Sequence, residues 1–98
     1  MNYLTIFKEE FHPKIKFDLK KIDKSAVTKI KNIHLNNILE DPYKYDLLKG
    51  NFHNLYSYHF KENSVDYRIA YEIKDSRIIF YYMIAKRENF YKNIQLRT

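Results

Sequence analysis

The sequence predicts an α+β fold in which a small, antiparallel-rich sheet packs on two N-terminal helices, in the order β-α-α-β-β-β, with a short C-terminal helix. Two observations predict it. Apolar residues recur at helical spacing between positions 11 and 38, and three aromatic and β-branched segments separated by polar turns follow between positions 55 and 85. The chain has 98 residues, which suffice for one hydrophobic core. We therefore expect residues 1–98 to form a single domain.

The N-terminal region is predicted to form a strand and then a helix. Tyr3–Phe7 alternates in the manner of a short strand, and the acidic pair at positions 9 and 10 is expected to end it. Four apolar residues then follow at helical spacing, and these are Phe11, Ile15, Leu19 and Ile22. Pro13 suits the first turn of this helix, where its missing N–H group carries no cost.

A second helix is predicted to run antiparallel to the first after a short turn. Asp23 or Ser25 can cap its N-terminus, and Asp41-Pro42 is expected to end it. Its buried face is predicted to contain Val27, Ile30, either Ile33 or His34, and Ile38. Residues 41–54 show no period and contain the only glycine, so we expect a connection that returns to the sheet.

The remaining chain is predicted to form an antiparallel meander of three strands. The strands are expected at Leu55–Phe60, Val65–Ile73 and Arg77–Ala85, followed by a short helix over Glu88–Leu96. The last strand is apolar on both faces, which is typical of an interior strand covered on each side. No internal repeat or low-complexity segment is present.

Composition excludes several classes of protein. Without cysteine the chain cannot form disulfides, zinc–thiolate sites or a thiol nucleophile, and four scattered histidines show no metal-ligand spacing. We therefore expect no metal and no cofactor. No apolar run is long enough for a membrane span or a signal peptide, so a cytoplasmic location is expected. The formal charge of +6 has two interpretations, an anionic partner or solubility alone.

Candidate catalytic residues gather where the third and fourth predicted strands meet the last helix. Arg68 points away from the apolar face formed by Tyr67 and its alternate neighbours. Arg87 and Tyr91 are four residues apart and can be adjacent on a helix. With Lys86 next to Arg87, the sequence predicts one groove that contains Arg68, Lys86, Arg87 and Tyr91.

Three cations beside a phenol suit the chemistry of RNA cleavage without a metal. In that reaction a base takes the 2′-hydroxyl proton and the 2′-oxygen attacks phosphorus. Cations stabilise the transition state, and an acid protonates the departing 5′-oxygen. A phenol, whose ordinary pKa is about 10, becomes a useful base only where nearby cations favour its ionised form.

Five motifs in this order and spacing resemble the RelE/ParE superfamily of toxins from bacterial type II toxin–antitoxin systems. They are Asp41-Pro42, Leu48-Lys49-Gly50, Leu55-Tyr56-Ser57-Tyr58, Asp66-Tyr67-Arg68-Ile69-Ala70-Tyr71 and Ala85-Lys86-Arg87-Glu88-Asn89-Phe90-Tyr91. The resemblance covers most of the chain and implies the fold predicted above. RelE-like members cleave messenger RNA in the ribosomal A site, leave a 2′,3′-cyclic phosphate, and are silenced by a cognate antitoxin.

The resemblance also implies roles for individual residues. Arg68 resembles the sheet arginine that supports the transition state, Arg87 resembles the arginine at the end of the last strand, and Tyr91 resembles the tyrosine that stacks on a base or moves a proton. Lys86 stands where many relatives have histidine, which leaves the general acid open. Where RelE has lysines, the strand after residue 54 has Tyr56 and Tyr58, so we take His59 as the candidate replacement acid or base.

A second basic surface is expected on the N-terminal helices. The predicted RNA- and ribosome-binding residues are Lys14, Lys16, Lys20, Lys21 and Lys24, together with Tyr58. The expected partners are a cognate antitoxin, the ribosome and messenger RNA, with operator DNA bound only through the antitoxin. Two alternatives remain open at this point: a ParE-like inhibitor of DNA gyrase, and a member that binds antitoxin but cleaves nothing.

Overall fold

In the computed structural model, which describes residues 7–52 and 54–98, the centre of the protein is a five-stranded sheet. Its strands are β1 (Lys8–Phe11), β2 (Asp46–Leu47), β3 (Tyr56–Glu62), β4 (Val65–Lys74) and β5 (Ile78–Lys86). They lie in the order β1-β5-β4-β3-β2. All neighbouring strands are antiparallel except β1 and β5, which are parallel. The predicted α+β class is confirmed.

Helices cover both faces of the sheet. They are α1 (Ile15–Lys20), α2 (Lys24–Lys29), α3 (Leu35–Glu40) and α4 (Arg87–Ile94). A π-helical segment, Ile30–His34, joins α2 to α3, so the predicted second helix is continuous. Asp23 caps α2 by accepting a hydrogen bond from the Ser25 amide at 3.2 Å. Within the described ranges, no helix combines the length and the apolar character that crossing a membrane requires.

The first strand differs from the prediction. Positions 3–6 of the predicted strand Tyr3–Phe7 lie outside the described residues, and β1 instead includes Glu9 and Glu10. All four residues of β1 are exposed, so this edge strand needs no apolar alternation. Phe11 therefore ends a strand rather than beginning a helix, and α1 starts only at Ile15.

The predicted meander is confirmed, with each strand end within two residues of its expected position. Each hairpin turn contains two consecutive residues with positive φ, and these are Asn63-Ser64 and Asp75-Ser76. This backbone is that of the tight turns whose twist matches paired antiparallel strands, and Asn63 and Asp75 are residue types that tolerate it. The turns therefore set the register that carries the candidate site.

Two apolar clusters lie on opposite faces of the sheet. The main core lies under α1–α3 and contains Tyr67, Ile69 and Tyr71 from β4. The second core lies under α4 and consists of Leu48, Leu55, Ala70, Met83, Phe90 and Ile94. The alternation predicted for β4 is thus correct, and both faces of β5 are covered. Of the two alternatives predicted for the second helix, His34 is the buried one, at 8% exposure, and Ile33 is 45% exposed.

A β-bulge interrupts the pairing of β4 with β5. Ala70 pairs with Met83 and Tyr71 pairs with Tyr81, which leaves Tyr82 as an extra residue on β5. A bulge shifts the alternation of the strand by one residue. Ile79 and Tyr81 therefore face the main core before the bulge, and Ile84 faces it again after the bulge.

Candidate functional site

The candidate site is a groove on the sheet face that packs against α4. His59 on β3 and Ala85 on β5 both pair with Arg68 on β4, and residues directly opposite each other point to the same face. Arg87 begins α4 immediately after β5 and lines a cavity of about 450 Å³ with His59 and Arg68. We call His59, Arg68, Arg87 and Tyr91 the Arg68 groove.

Arg68 is stacked against the helix that carries the candidate tyrosine. Its guanidinium carbon lies 5.5 Å from the centroid of the Tyr91 ring and 5.6 Å from that of Phe90. Phe90 is fully buried in the second core, whereas Tyr91 is 53% exposed. Cation–π attraction therefore fixes the arginine between the sheet and α4 while leaving much of the tyrosine open to a ligand.

His59 is electrostatically tuned by its neighbours. Partial burial lowers the pKa of its imidazole below the ordinary value, and the positive charge of Arg68 lowers it further. Asp46 opposes this shift and Arg87 adds to it. The neutral imidazole is consequently favoured near neutral pH, so His59 is suited to accept a proton.

Three further residues complete the groove and were not predicted from the sequence. Asp46, Lys49 and Ser57 line a cavity with His59, Arg68 and Tyr91. The two-residue strand β2 brings Asp46 opposite Ser57. Residues 41–54 show no periodicity, so no spacing placed Asp46 or Lys49 at the groove, although Lys49 belongs to one of the motifs that carry the family resemblance. Ser57 was recognisable in principle, because it is two residues from His59 and so faces the same side of β3.

Ser57 is unusual in its hydrogen bonding. The residue is 2% exposed, and in the part of the chain that the structure describes its Oγ atom has no hydrogen-bond partner. A buried hydroxyl without a partner costs free energy of folding. It lies on the floor of the groove, next to groups that can bind a polar ligand.

Lys86 lies outside the groove, which corrects the prediction that it lines the groove with Arg68. It pairs with Tyr67, whose side chain is buried in the main core, so Lys86 points to the sheet face opposite Arg68. There it lines a cleft between α1 and α4 together with Lys14, Lys21 and Arg97. The reason is the alternation of side chains along β5 after the bulge, which places Ala85 and Lys86 on opposite faces of the sheet.

Tyr58 is a core residue and not part of an exposed RNA-binding surface, which corrects the prediction. It is 5% exposed, its Oη lies 2.8 Å from His34 Nδ1, and it accepts a hydrogen bond from Asn37 Nδ2 at 2.8 Å. His34 Nε2 lies 2.8 Å from Glu62 Oε2. The cause is again the alternation of side chains along a strand. Tyr58 and Phe60 face α1–α3, while Ser57 and His59 face the groove.

The predicted lysines of the N-terminal helices are exposed. They are Lys14, Lys16, Lys20, Lys21 and Lys24. The ammonium groups of Lys16 and Lys20 lie 5.3 and 5.4 Å from the ring centroid of Phe17, which is itself 49% exposed. This surface presents positive charge around an aromatic ring. Within residues 7–52 and 54–98, no three histidine or carboxylate side chains converge on a possible metal position.

Comparison with solved structures supports the fold. E. coli toxin RelE, solved as a mutant in the free state, aligns with a TM-score of 0.72 at 17% identity over 95% of this chain and 94% of its own. The toxin–antitoxin complex RelBE2 of Mycobacterium tuberculosis gives 0.68 at 15% identity over 85% and 100%. The RelE mutant in complex with a peptide of antitoxin RelB gives 0.66 at 16% identity over 96% of each chain.

Sequence comparison identifies the family. No curated protein sequence gives a significant match. The family model described as the ParE-like toxin of type II bacterial toxin–antitoxin systems matches residues 10–95, which include every residue of the Arg68 groove. Because that match spans most of the chain and the fold is that of RelE, the protein belongs to the ParE-like toxins of type II toxin–antitoxin systems, within the RelE/ParE superfamily.

Proposed function

We propose that this toxin is a metal-independent endoribonuclease that cleaves messenger RNA in the ribosomal A site and is neutralised by a cognate antitoxin. One observation carries the proposal. Two arginines and a histidine with a lowered pKa line one cavity, and an exposed tyrosine lines a neighbouring cavity that shares Arg68 and the histidine. An inhibitor that acts only by binding another protein has no need for a tuned proton acceptor beside two guanidinium groups.

In the proposed reaction, neutral His59 accepts the proton of the 2′-hydroxyl group. The 2′-oxygen then forms a bond to phosphorus, and the bond from phosphorus to the 5′-oxygen breaks. The products are a 2′,3′-cyclic phosphate and a 5′-hydroxyl group, which takes its proton from the Tyr91 hydroxyl. Arg68 and Arg87 stabilise the negative charge that builds on the non-bridging oxygens, because a guanidinium presents several donors in a fixed plane.

Asp46 offers a second proton acceptor in the same groove. Its carboxylate lines the cavity with His59 and Arg68 and faces Ser57 across the β2–β3 pair. Substituting the two acceptors separately assigns the base. The variant His59→Gln removes proton acceptance at the imidazole, and Asp46→Asn removes the carboxylate at nearly unchanged volume. The larger loss of single-turnover rate identifies the residue that accepts the proton.

The ribosome and the antitoxin have distinct proposed contact surfaces. The exposed lysines around Phe17 suit ribosomal RNA phosphates, which they would bind without reading sequence. The relatives solved with an antitoxin support a protein partner for this chain too. We infer that the antitoxin is the component that contacts operator DNA, and that the toxin acts in the cytoplasm, where ribosomes are found.

Primer-extension mapping of a reporter messenger RNA on purified programmed ribosomes tests the proposal. The reactions contain wild-type protein, the variant Arg87→Ala, or wild-type protein without ribosomes. Arg77→Ala is the matched control, because Arg77 is exposed in the β4–β5 turn, away from the groove. Cuts at the A-site codon that need both the ribosome and Arg87 support the function. Absence of cleavage by folded protein rejects it.

The family name favours a second candidate, a ParE-like inhibitor of DNA gyrase. The two functions can be distinguished in cells, because gyrase poisoning induces the DNA-damage response, whereas A-site cleavage stops translation first.

A third possibility is a member that binds antitoxin without cleaving RNA. It is consistent with Tyr56 and Tyr58 on the strand where RelE has lysines. It predicts tight antitoxin binding and unharmed cells.

A further inference from the structure

A buried ion pair outside the groove ties the end of the chain to the first helix. Asp18 of α1 is 7% exposed, and its carboxylate accepts hydrogen bonds from both terminal nitrogens of the Arg97 guanidinium. Arg97 Nη1 lies 2.8 Å from Asp18 Oδ2, and the Ile84 amide donates to the same oxygen at 3.0 Å. The planar, two-pronged geometry explains arginine rather than lysine at this position.

The pair lies where the sheet loses a strand. Strand β1 ends at Phe11, opposite Tyr81, so among the described residues no strand pairs with the outer edge of β5 beyond this point. The bulge at Tyr82 leaves the Tyr82 carbonyl and the Ile84 amide facing this edge. Arg97 Nη1 donates to the Tyr82 carbonyl at 2.7 Å, and Asp18 accepts from Ile84. The ion pair thus replaces the missing strand and satisfies buried backbone groups.

The same pair holds α4, which carries two residues of the Arg68 groove. Arg97 lies in the turn that follows α4, where its amide donates to the Ile94 carbonyl at 3.0 Å. Helix α4 has eight residues, which is too short for a stable helix in isolation. Its position depends on Phe90 and Ile94 in the second core at one side, and on the ion pair at its C-terminal end.

We propose that Asp18 and Arg97 are positioning residues for the cleavage reaction, which fix α4 so that Tyr91 stays stacked against Arg68 at the groove. The inference rests on the proposed function in assigning a catalytic use to Tyr91. Neither residue contacts the groove, and both act through the placement of α4. Since reaction rates respond steeply to small displacements of a catalytic group, loss of the pair slows cleavage without touching the reacting atoms.

A double-mutant cycle tests this proposal. Single-turnover cleavage on programmed ribosomes is measured for wild type, Arg97→Met, Tyr91→Ala and the double variant. We expect Arg97→Met to slow cleavage by roughly tenfold to a hundredfold, and to slow it by a smaller factor when Tyr91 is already absent. Losses that simply multiply in the double variant overturn the proposal. Arg97→Lys, which keeps the charge but lacks the two-pronged geometry, repeats the cycle if the methionine variant does not fold.

Amide hydrogen exchange gives a readout that does not depend on cleavage. In Arg97→Met the amides of α4 should exchange faster, while those of Ile69 and its neighbours in β4 keep their protection. Arg77→Met is the matched control and should change neither. If wild-type protein cleaves no messenger RNA, the proposed function fails, and the exchange data still decide whether the pair fixes α4. Unchanged exchange across α4 overturns the proposal.

Discussion

Replacing Arg68 with glutamine should alter rate, pH dependence and stability together. Arg68 lies in the groove, neighbours His59 across the sheet, and stacks on two aromatic rings. Removing a group that stabilises transition-state charge typically costs about 10²–10³ in rate. Each cation–π contact contributes about 0.5–1 kcal/mol, so loss of both should lower the free energy of unfolding by about 1–2 kcal/mol. For a protein of this size, such a loss lowers Tm by roughly 4–16 °C.

The pH dependence gives the sharper test. The positive charge of Arg68 lowers the pKa of His59, so its removal should raise that pKa toward the ordinary value. Because the proposed base must be neutral, the acidic limb of the pH–rate profile should move to higher pH in Arg68→Gln. Single-turnover cleavage between pH 5 and 9, together with NMR titration of the His59 imidazole, measures both quantities. Arg77→Gln serves as control.

An unchanged His59 titration in Arg68→Gln would contradict the assigned electrostatics, whatever happens to the rate. A shifted titration with an unshifted pH–rate profile would show instead that His59 is not the base. In that case Asp46 becomes the leading acceptor, since it lines the same cavity.

Three further predictions concern stability and binding. Ser57→Ala should raise the free energy of unfolding by about 1–3 kcal/mol, because it removes a buried hydroxyl without a partner; a lower urea midpoint would show that the hydroxyl has a partner in solution. Tyr58→Phe should lower the free energy of unfolding by about 1–3 kcal/mol, since His34 and Asn37 each lose a hydrogen-bond partner. An unchanged urea midpoint would show that these two hydrogen bonds do not stabilise the protein. Replacing Lys16 and Lys20 with glutamine should make ribosome binding less salt-dependent, by about one unit of log–log slope for each lost phosphate contact; an unchanged slope, measured by sedimentation across salt concentrations, would exclude this surface.

Features governed by local periodicity were predicted well. Alternation along β4 correctly placed Arg68 opposite the main core, and the i, i+4 spacing correctly placed Tyr91 on the helix that begins at Arg87. These features depend only on the two repeat lengths of regular secondary structure. The same rule, applied along β3 and β5, also places Tyr58 and Lys86 on the face covered by α1–α3, opposite Arg68. The prediction for Lys86 rests on its position next to Arg87, and the prediction for Tyr58 rests on a strand where RelE has lysines. Neither criterion determines the face of the sheet on which a side chain lies.

Other features could not be predicted because they depend on distant pairing. Glu9 and Glu10 are poor strand formers by composition, yet β1 forms because the parallel edge of β5 offers hydrogen-bonding partners to its backbone. The sequence around Asp18 indicates a charged surface residue, and only the tertiary fold brings its carboxylate to the Ile84 amide and the Arg97 guanidinium. Likewise Asp46 reaches the groove through a two-residue strand that leaves no pattern in the sequence.

The two edges of the sheet bear on aggregation. Strand β5 contains the run from Ile78 to Ile84, which combines β-branched and aromatic residues without a charge, a composition that favours intermolecular stacking of strands. One edge of the sheet is the exposed, charged strand β1, and the other is only two residues long, so neither is a good template for another chain. A change that detaches β1 uncovers the edge of β5. Its expected consequence is therefore self-association of an otherwise folded protein rather than simple unfolding.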